Sequence, residues 1–141
     1  MLPIPEPCLV IDTNLWVSYF LGNRTKARLD KILYNETLTI LVSESLLEEM
    51  NLVLSRPKFR RYFSIEDSQE LLALIRLRAK LVDVQSIVSL SRDQKDDFVL
   101  ALCQDGTADF LITGDADLLV LHPFGDIQIV TLSGFCAIYI D

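Results

Sequence analysis

Two aspartates each follow a short apolar stretch that is typical of a buried strand. Asp12 follows the stretch "CLVI", and Asp115 follows "DFLIT" after a single glycine. A lone aspartate in such a position usually closes a turn or caps a helix. The carboxyl ends of parallel strands, however, lie along one edge of a sheet, where ligands bind. The sequence therefore predicts a pair of carboxylates at one edge of a parallel sheet.

Helical spacing selects one further acid in each of two predicted helices. After Ser43, an advance of about 100° per residue places Glu49 at the border of the apolar face and Glu48 toward solvent. The same geometry places Asp96 at the border of a later helix and Asp97 nearly opposite its apolar face. The alternative is that these are solvated acids at helix ends, where the helix dipole favours them.

Four acids from different elements are thus candidates for one site: Asp12, Glu49, Asp96 and Asp115. Carboxylates held together without a basic side chain between them either rise in pKa or share a cation. An oxygen-only set of ligands suits Mg²⁺ or Mn²⁺, and such an ion can activate water for attack on a phosphodiester. These residues favour a metal-dependent nuclease.

The elements that must position these acids alternate along the chain. Predicted strands lie at residues 8–11, 37–42, 81–84, 109–113 and 127–131, and predicted helices lie at 13–20, 25–34, 44–54, 64–80 and 96–105. This alternation predicts an α/β fold, with a mainly parallel sheet covered by helices on both faces. A length of 141 residues fits a single domain over residues 1–141.

The amino-acid composition excludes several classes of protein and of metal site. The net charge of −7 argues against non-specific adhesion to nucleic acid, and no apolar run has the length of a membrane span. The first residues carry three prolines and no basic n-region, so we expect a cytoplasmic protein. Three separated cysteines predict reduced core thiols. His122 is the only histidine, which argues against a two-histidine nuclease or a histidine and cysteine zinc site.

All thirteen basic residues lie between Arg24 and Lys95, and the densest group is in the segment "RPKFRRYF". These basic side chains could follow the phosphate backbone of a single-stranded nucleic acid while aromatic rings stack on bases. The alternative is a short surface helix whose Phe59, Tyr62 and Phe63 pack inward. The candidate residues for contacts to a nucleic-acid backbone are Arg56, Lys58, Arg60 and Arg61.

The order of several segments resembles the PIN-domain ribonucleases, and among them the single-domain toxins of toxin–antitoxin pairs. The segments are "VIDTNLWVS", "SESLLEEMNLVLSRPKF", "SRDQKDDFVLALC", "ADFLITGDADLL" and "IVTLSGF". The resemblance implies a three-layer α/β/α sandwich, dependence on Mg²⁺ or Mn²⁺, and endonucleolytic cleavage of RNA. It also implies a cognate antitoxin as a protein partner, and it is compatible with a homodimer.

The resemblance maps catalytic and metal-binding roles onto Asp12, Glu49, Asp96 and Asp115. It further implies that Asn14 and Thr113 orient the site and that Asp117 is an additional acid. A different class of function stays open, namely a non-catalytic PIN-like module that binds RNA or protein and uses the acids only for structure. An acid-pocket phosphotransfer domain is less consistent with the sequence because no lysine follows Lys95.

Overall fold

The computed structural model describes residues 3–141, in which strands and helices alternate. The strands are β1 (Cys8–Ile11), β2 (Thr39–Val42), β3 (Lys80–Leu81), β4 (Phe110–Ile112) and β5 (Gln128–Val130). The helices are α1 (Thr13–Leu21), α2 (Asn23–Leu33), α3 (Glu44–Leu54), α4 (Ile65–Arg78), α5 (Gln94–Asp105), α6 (Ala116–Leu119) and α7 (Leu132–Tyr139). One 3₁₀ turn covers Pro57–Phe59.

The five strands form one sheet in the order β3-β2-β1-β4-β5, and every neighbouring pair is parallel. Strand β1 is central, with β2 on one side and β4 on the other. Ile11 lies opposite Ile112, and the N–H of Asp12 donates to the carbonyl of Ile112 at 2.9 Å. The strand order reverses between β1 and β4, so this is the topological switch point at which α/β proteins bind ligands.

Helices cover both faces of the sheet. Three consecutive residues of β1, Leu9, Val10 and Ile11, are each at most 1% exposed. Because successive side chains of a strand point to opposite faces, such continuous burial requires packing on both sides. The residues of β4 are equally buried. The predicted α/β class with a parallel sheet between helices is confirmed.

Side-chain caps fix the start of the helices that carry the acids. The Ser43 hydroxyl accepts the N–H of Leu46 at the start of α3. Asp93 accepts the N–H of Lys95 at the start of α5. These caps satisfy N–H groups that a helix cannot pair internally, and they set where the helix begins.

Some elements differ from the sequence-based expectation. The predicted strand at 81–84 is shorter in the structure. Strand β3 covers only Lys80 and Leu81, the two residues that pair with β2. Helices α6 and α7 were not predicted. Helix α7 is short and mostly apolar, and its start is marked by Thr131, which accepts the N–H of Gly134. Its Phe135 packs edge-on against Phe110 of β4.

All three cysteines are free thiols, as predicted. Cys103 of α5 and Cys136 of α7 are completely buried in the core, and Cys8 is partly buried. Burial raises the pKa of the Cys103 thiol far above its ordinary value. Among residues 3–141, no helix combines the length and the apolar character needed to cross a bilayer.

Candidate active site

Asp12 lies directly after the central strand and is only 8% exposed. Its Oδ2 accepts a hydrogen bond of 2.8 Å from the Thr113 hydroxyl, which follows β4. The same hydroxyl accepts the N–H of Asp115 at 3.0 Å. Thr113 is itself fixed, since its N–H donates to the carbonyl of Val130 at the end of β5. One threonine therefore organises the ends of β1 and β4 around two carboxylates.

Asp115 also caps the short helix α6. Its Oδ1 accepts the N–H of Asp117 at 2.9 Å. Asp117 in turn accepts a hydrogen bond of 2.6 Å from the guanidinium of Arg92, which is exposed. The cap uses one oxygen of the Asp115 carboxylate. Asp117 lies two residues farther along the chain than Asp115 and is paired with its arginine.

Glu49 lies on the side of α3 that faces α1. The hydroxyl of Thr13 donates to Glu49 Oε2 at 3.2 Å, which holds the carboxylate beside the start of α1. Glu49 is half-buried whereas Glu48 is exposed. The predicted helical phase of these two glutamates is confirmed.

Asp96 is buried at the start of α5, and its Oδ2 accepts a hydrogen bond of 3.3 Å from the Ser91 hydroxyl. The expectation that Asp97 faces solvent was wrong. Asp97 is only 8% exposed, and its Oδ1 accepts the N–H groups of Leu90 and Ser91 at 3.0 and 2.8 Å. The chain before α5 lies across this side of the helix, so the face opposite the apolar one is also covered.

The four predicted acids are close enough to influence one another. Burial and, to a smaller extent, the charge of Asp115 raise the pKa of Asp12, although the Thr113 hydrogen bond opposes this. Burial, followed by the charge of Asp115, raises the pKa of Asp96 to about 6. The pKa of Glu49 is raised by burial, with Asp12 adding to the rise. Such mutual repulsion is what an unscreened cluster of carboxylates produces.

The donor set fits a hard divalent cation. Within residues 3–141, no three histidine, cysteine, aspartate or glutamate side chains already converge closely enough to enclose a metal ion. In the same part of the chain, the hydrogen bonds to Asp12, Glu49 and Asp96 come from hydroxyl groups and not from lysine or arginine. Mg²⁺ and Mn²⁺ are typically held by few carboxylates and several waters, which suits this open arrangement.

Several contributors to the site were not predicted from the sequence. Thr13 and Ser91 each orient one acid, whereas the predicted Asn14 is exposed in the first turn of α1. Lys95 lies near enough to Glu49 to lower its pKa. Thr13 could have been predicted, because its hydroxyl lies between the end of β1 and the first turn of α1. No feature of the sequence indicates that the Ser91 hydroxyl contacts Asp96.

A groove of about 350 Å³ runs beside Glu49 between α3 and α5. Lys95 and Arg56 line it, together with the exposed apolar side chains of Leu52 and Phe98. Because Glu48 also lines the groove, two basic and two acidic side chains face it.

The four basic residues of the segment after α3 differ in accessibility. Arg56, Lys58 and Arg61 are exposed. The Arg60 guanidinium instead donates to the carbonyl of Leu54 and lies 5.1 Å from the ring centre of Phe63, with its other nitrogens Nε and Nη1 buried. Arg60 is therefore best described as a structural residue at the end of α3.

The aromatic residues of this segment also differ in burial. Phe59 and Phe63 are buried and stack on each other, and Phe63 stacks on Phe20 of α1. Tyr62 is 59% exposed, so the expectation that it packs inward with the two phenylalanines was wrong. A turn rather than a regular helix follows Pro57, which changes the side that residue 62 faces.

A family model described as the PIN domain matches residues 8–117. The chain belongs to the PIN domain family. The matched part of this PIN domain runs from β1 to Asp117, so it contains all four clustered acids. A relative from Methanocaldococcus jannaschii, the uncharacterized protein MJ1680, is 25% identical over 116 residues, which cover 81% of this chain and 74% of the relative.

Solved structures share the fold of this PIN domain at low sequence identity. PAE2754 from Pyrobaculum aerophilum superposes with a TM-score of 0.62 at 17% identity over 94% of each chain. VapBC2 from Rickettsia felis superposes with a TM-score of 0.58 at 15% identity over 86% of this chain and 96% of that chain. Its structure was solved bound to a DNA fragment from its promoter. FitAcB from Neisseria gonorrhoeae superposes with a TM-score of 0.56 at 17% identity, and the alignment covers 89% of this chain and 98% of that chain.

Proposed function

We propose that this PIN domain is a metal-dependent endoribonuclease and the toxin of a toxin–antitoxin pair. The observation that supports the proposal is that Asp12 and Asp115 follow the neighbouring strands β1 and β4 at the switch point, and that Glu49 and Asp96 lie near enough to feel their charges. Asp12, Glu49 and Asp96 each have a raised pKa, and carboxylates from this group contribute to each rise. Acids whose pKa values are raised by burial and by neighbouring carboxylates are a physical mark of a functional site.

The four acids would hold Mg²⁺ or Mn²⁺. When bound, the ion would stabilise the negative charge that develops on the phosphate during hydrolysis. The chain's own contribution is to fix the ligands: the hydroxyls of Thr113, Thr13 and Ser91 orient Asp12, Glu49 and Asp96 respectively. Fixed donors of this kind keep the site organised before substrate arrives.

RNA would be held by basic side chains beside the acids. Arg56 and Lys95 line the groove next to Glu49, and Lys58 and Arg61 are exposed on the adjoining turn. Contacts to the phosphate backbone position a nucleic acid without reading its sequence. Cleavage would leave 5′-phosphate and 3′-hydroxyl ends, as the resemblance to PIN-domain ribonucleases implies.

A protein partner is part of the proposal. The fold similarity to VapBC2 and FitAcB supports a place for this chain among toxin proteins that act with an antitoxin. A small cognate antitoxin would bind and restrain the nuclease in the cytoplasm. A homodimer of this chain is compatible with the same proposal.

The test is RNA cleavage by the purified protein with Mn²⁺ or Mg²⁺. Asp12→Asn should abolish cleavage and leave the fold intact, since it removes a ligand charge and relieves repulsion between carboxylates. Asp126→Asn is the matched control, because Asp126 is an exposed acid in the loop before β5. Undiminished cleavage by the Asp12 variant would refute the proposal. RNA binding without cleavage by the wild-type protein would favour the non-catalytic module.

A further inference from the structure

The segment before α5 is attached to that helix by backbone N–H groups. Residues 82–93, here called the β3–α5 segment, connect β3 to α5. Near its end, the N–H groups of Leu90 and Ser91 both donate to Oδ1 of Asp97, at 3.0 and 2.8 Å. Asp97 is almost fully buried, so water could not replace these bonds at low cost. This carboxylate therefore fixes where the chain passes over the start of α5.

The same stretch of chain brings a hydroxyl to the active site. The Ser91 hydroxyl donates to Asp96 Oδ2 at 3.3 Å and accepts the N–H of Asp93 at 3.3 Å. Asp93 caps α5. Since Asp97 holds the backbone of Ser91, its position decides whether this hydroxyl reaches Asp96.

A second acid of α5 holds the opposite end of the β3–α5 segment. Asp105 accepts the N–H groups of Gln85 and Ser86 at 2.6 and 2.8 Å, as well as the Ser86 hydroxyl. These bonds lower the pKa of Asp105. The two acids make the same kind of attachment, but only the one at residue 97 lies next to the active site.

We propose that Asp97 is a positioning residue for Asp96. It secures the end of the β3–α5 segment so that the Ser91 hydroxyl orients the Asp96 carboxylate toward the metal and RNA site. This inference rests on the proposed nuclease function for its catalytic consequence. Its structural part, the dependence of the Asp96 side chain on Asp97, stands independently of that function.

The structural part is tested by NMR on the full chain. In Asp97→Ala, the amides of Leu90 and Ser91 should exchange with solvent at least about tenfold faster, and the side-chain couplings of Asp96 should become averaged over rotamers. Asp97→Asn keeps an acceptor oxygen of the same shape and should restore both properties. Ser91→Ala should keep the amide of Leu90 protected but release Asp96. A fixed Asp96 rotamer in both Asp97→Ala and Ser91→Ala would overturn the inference.

The catalytic part is tested by steady-state kinetics with RNA and Mn²⁺. Asp97→Ala should lower kcat by about tenfold with little change in KM, and Asp97→Asn should recover most of the activity. Asp105→Ala is the matched control: it should free the amides of Gln85 and Ser86 and leave kcat unchanged. Equal losses in Asp97→Ala and Asp105→Ala would show a general effect on stability and overturn the positioning role.

The two proposals fail in different ways. If the wild-type protein neither binds Mn²⁺ by calorimetry nor cleaves RNA, the nuclease assignment fails, while the NMR comparison still decides the role of Asp97. If Asp97→Ala does not fold, Ser91→Ala and Asp97→Asn carry the decision. In that case, an unchanged kcat and Asp96 rotamer in Ser91→Ala would overturn the inference.

Discussion

Thr113 Oγ1 lies 2.8 Å from Asp12 Oδ2, so one buried hydroxyl joins the carboxylate after β1 to the end of β4. It also accepts the N–H of Asp115, which places it between two acids of the cluster. A hydroxyl can donate one hydrogen bond and accept others, and Thr113 uses both capacities here. Asp12 is thereby kept ionised more easily than burial alone would allow, because this bond lowers its pKa.

The first prediction concerns this hydroxyl. Thr113→Val keeps the shape of the side chain but leaves the N–H of Asp115 and the Asp12 carboxylate without their partner. We expect a loss of about 1–3 kcal/mol in the free energy of unfolding and a clear drop in kcat. Chemical denaturation and cleavage kinetics measure these quantities. Thr113→Ser keeps the hydroxyl and should retain most of both, so a serine variant as impaired as the valine variant would contradict this role.

The second prediction concerns pH and the charge of Asp96. Burial and Asp115 raise its pKa to about 6 in the folded protein, whereas the unfolded value is about 4. The folded state therefore holds the proton more tightly, and the stability that this provides is full below about pH 4 and lost as the pH rises to about 6. In chelator, Asp96→Asn should raise the melting temperature at pH 7 and weaken its fall between about pH 4 and about pH 6.

Calorimetry across that pH range decides this prediction. Asp126→Asn serves as the control, because an exposed aspartate should change neither the melting temperature nor its pH dependence. A variant at position 96 with the wild-type pH dependence would contradict the coupling of Asp96 to its neighbours. With saturating Mn²⁺, the wild-type protein should lose much of this pH dependence, because a bound cation compensates the repulsion.

The third prediction compares two adjacent glutamates of α3. Glu49 accepts the Thr13 hydroxyl and lies among the acids, whereas Glu48 is exposed. Glu49→Gln should therefore lower kcat by an order of magnitude or more, and Glu48→Gln should leave it within about twofold. Cleavage assays at saturating Mn²⁺ measure both. Equal losses would show that charge in this region, and not ligation by Glu49, determines the activity.

The fourth prediction concerns how an acidic protein holds RNA. Neutral substitution of Arg56, Lys58 and Arg61 should weaken binding and flatten its salt dependence, by up to about 0.7 in logarithmic slope for each phosphate that the protein no longer neutralises. Fluorescence anisotropy at several salt concentrations measures the slope. An unchanged slope would mean that another surface of the protein binds the phosphates.

Arg60 provides a contrast within the same segment. Its guanidinium donates to the carbonyl of Leu54 and is partly buried against Phe63. Arg60→Gln should therefore lower the melting temperature and leave the salt slope almost unchanged. This pair of outcomes separates structural from RNA-binding arginines among residues that the sequence alone does not distinguish.

Local chemistry allowed much of the site to be predicted. Asp12 and Asp115 could be found because each follows an apolar strand, and Glu49 because it lies on the border of an apolar helical face. The helix predicted at 64–80 is present as α4, and a capping box of Ser64 and Asp67 marks its start. Each of these signals depends on residues within one turn or one strand, which is the range over which sequence patterns carry information.

Features that depend on distant segments could not be predicted. The burial of Asp97 follows from the path of the β3–α5 segment, and a helical projection does not represent a covering segment. That β1 and β4 are neighbours, which brings Thr113 to Asp12, depends on sheet order and not on spacing along the chain. Helix α7 was missed because it is short and mostly apolar, and the periodicity of a short apolar run does not distinguish a helix from a strand.

The buried thiol of Cys103 makes α5 observable by chemical labelling. An alkylating reagent reacts with the thiolate form of cysteine. While α5 is packed on the sheet, the Cys103 thiol is inaccessible because it is buried, and its raised pKa keeps it protonated. Modification at this position therefore requires α5 to leave the core. Asp96 and Asp97 lie on the same helix. The rate of Cys103 labelling therefore measures how often α5 opens and the acidic cluster is lost, without RNA, metal or a cleavage assay.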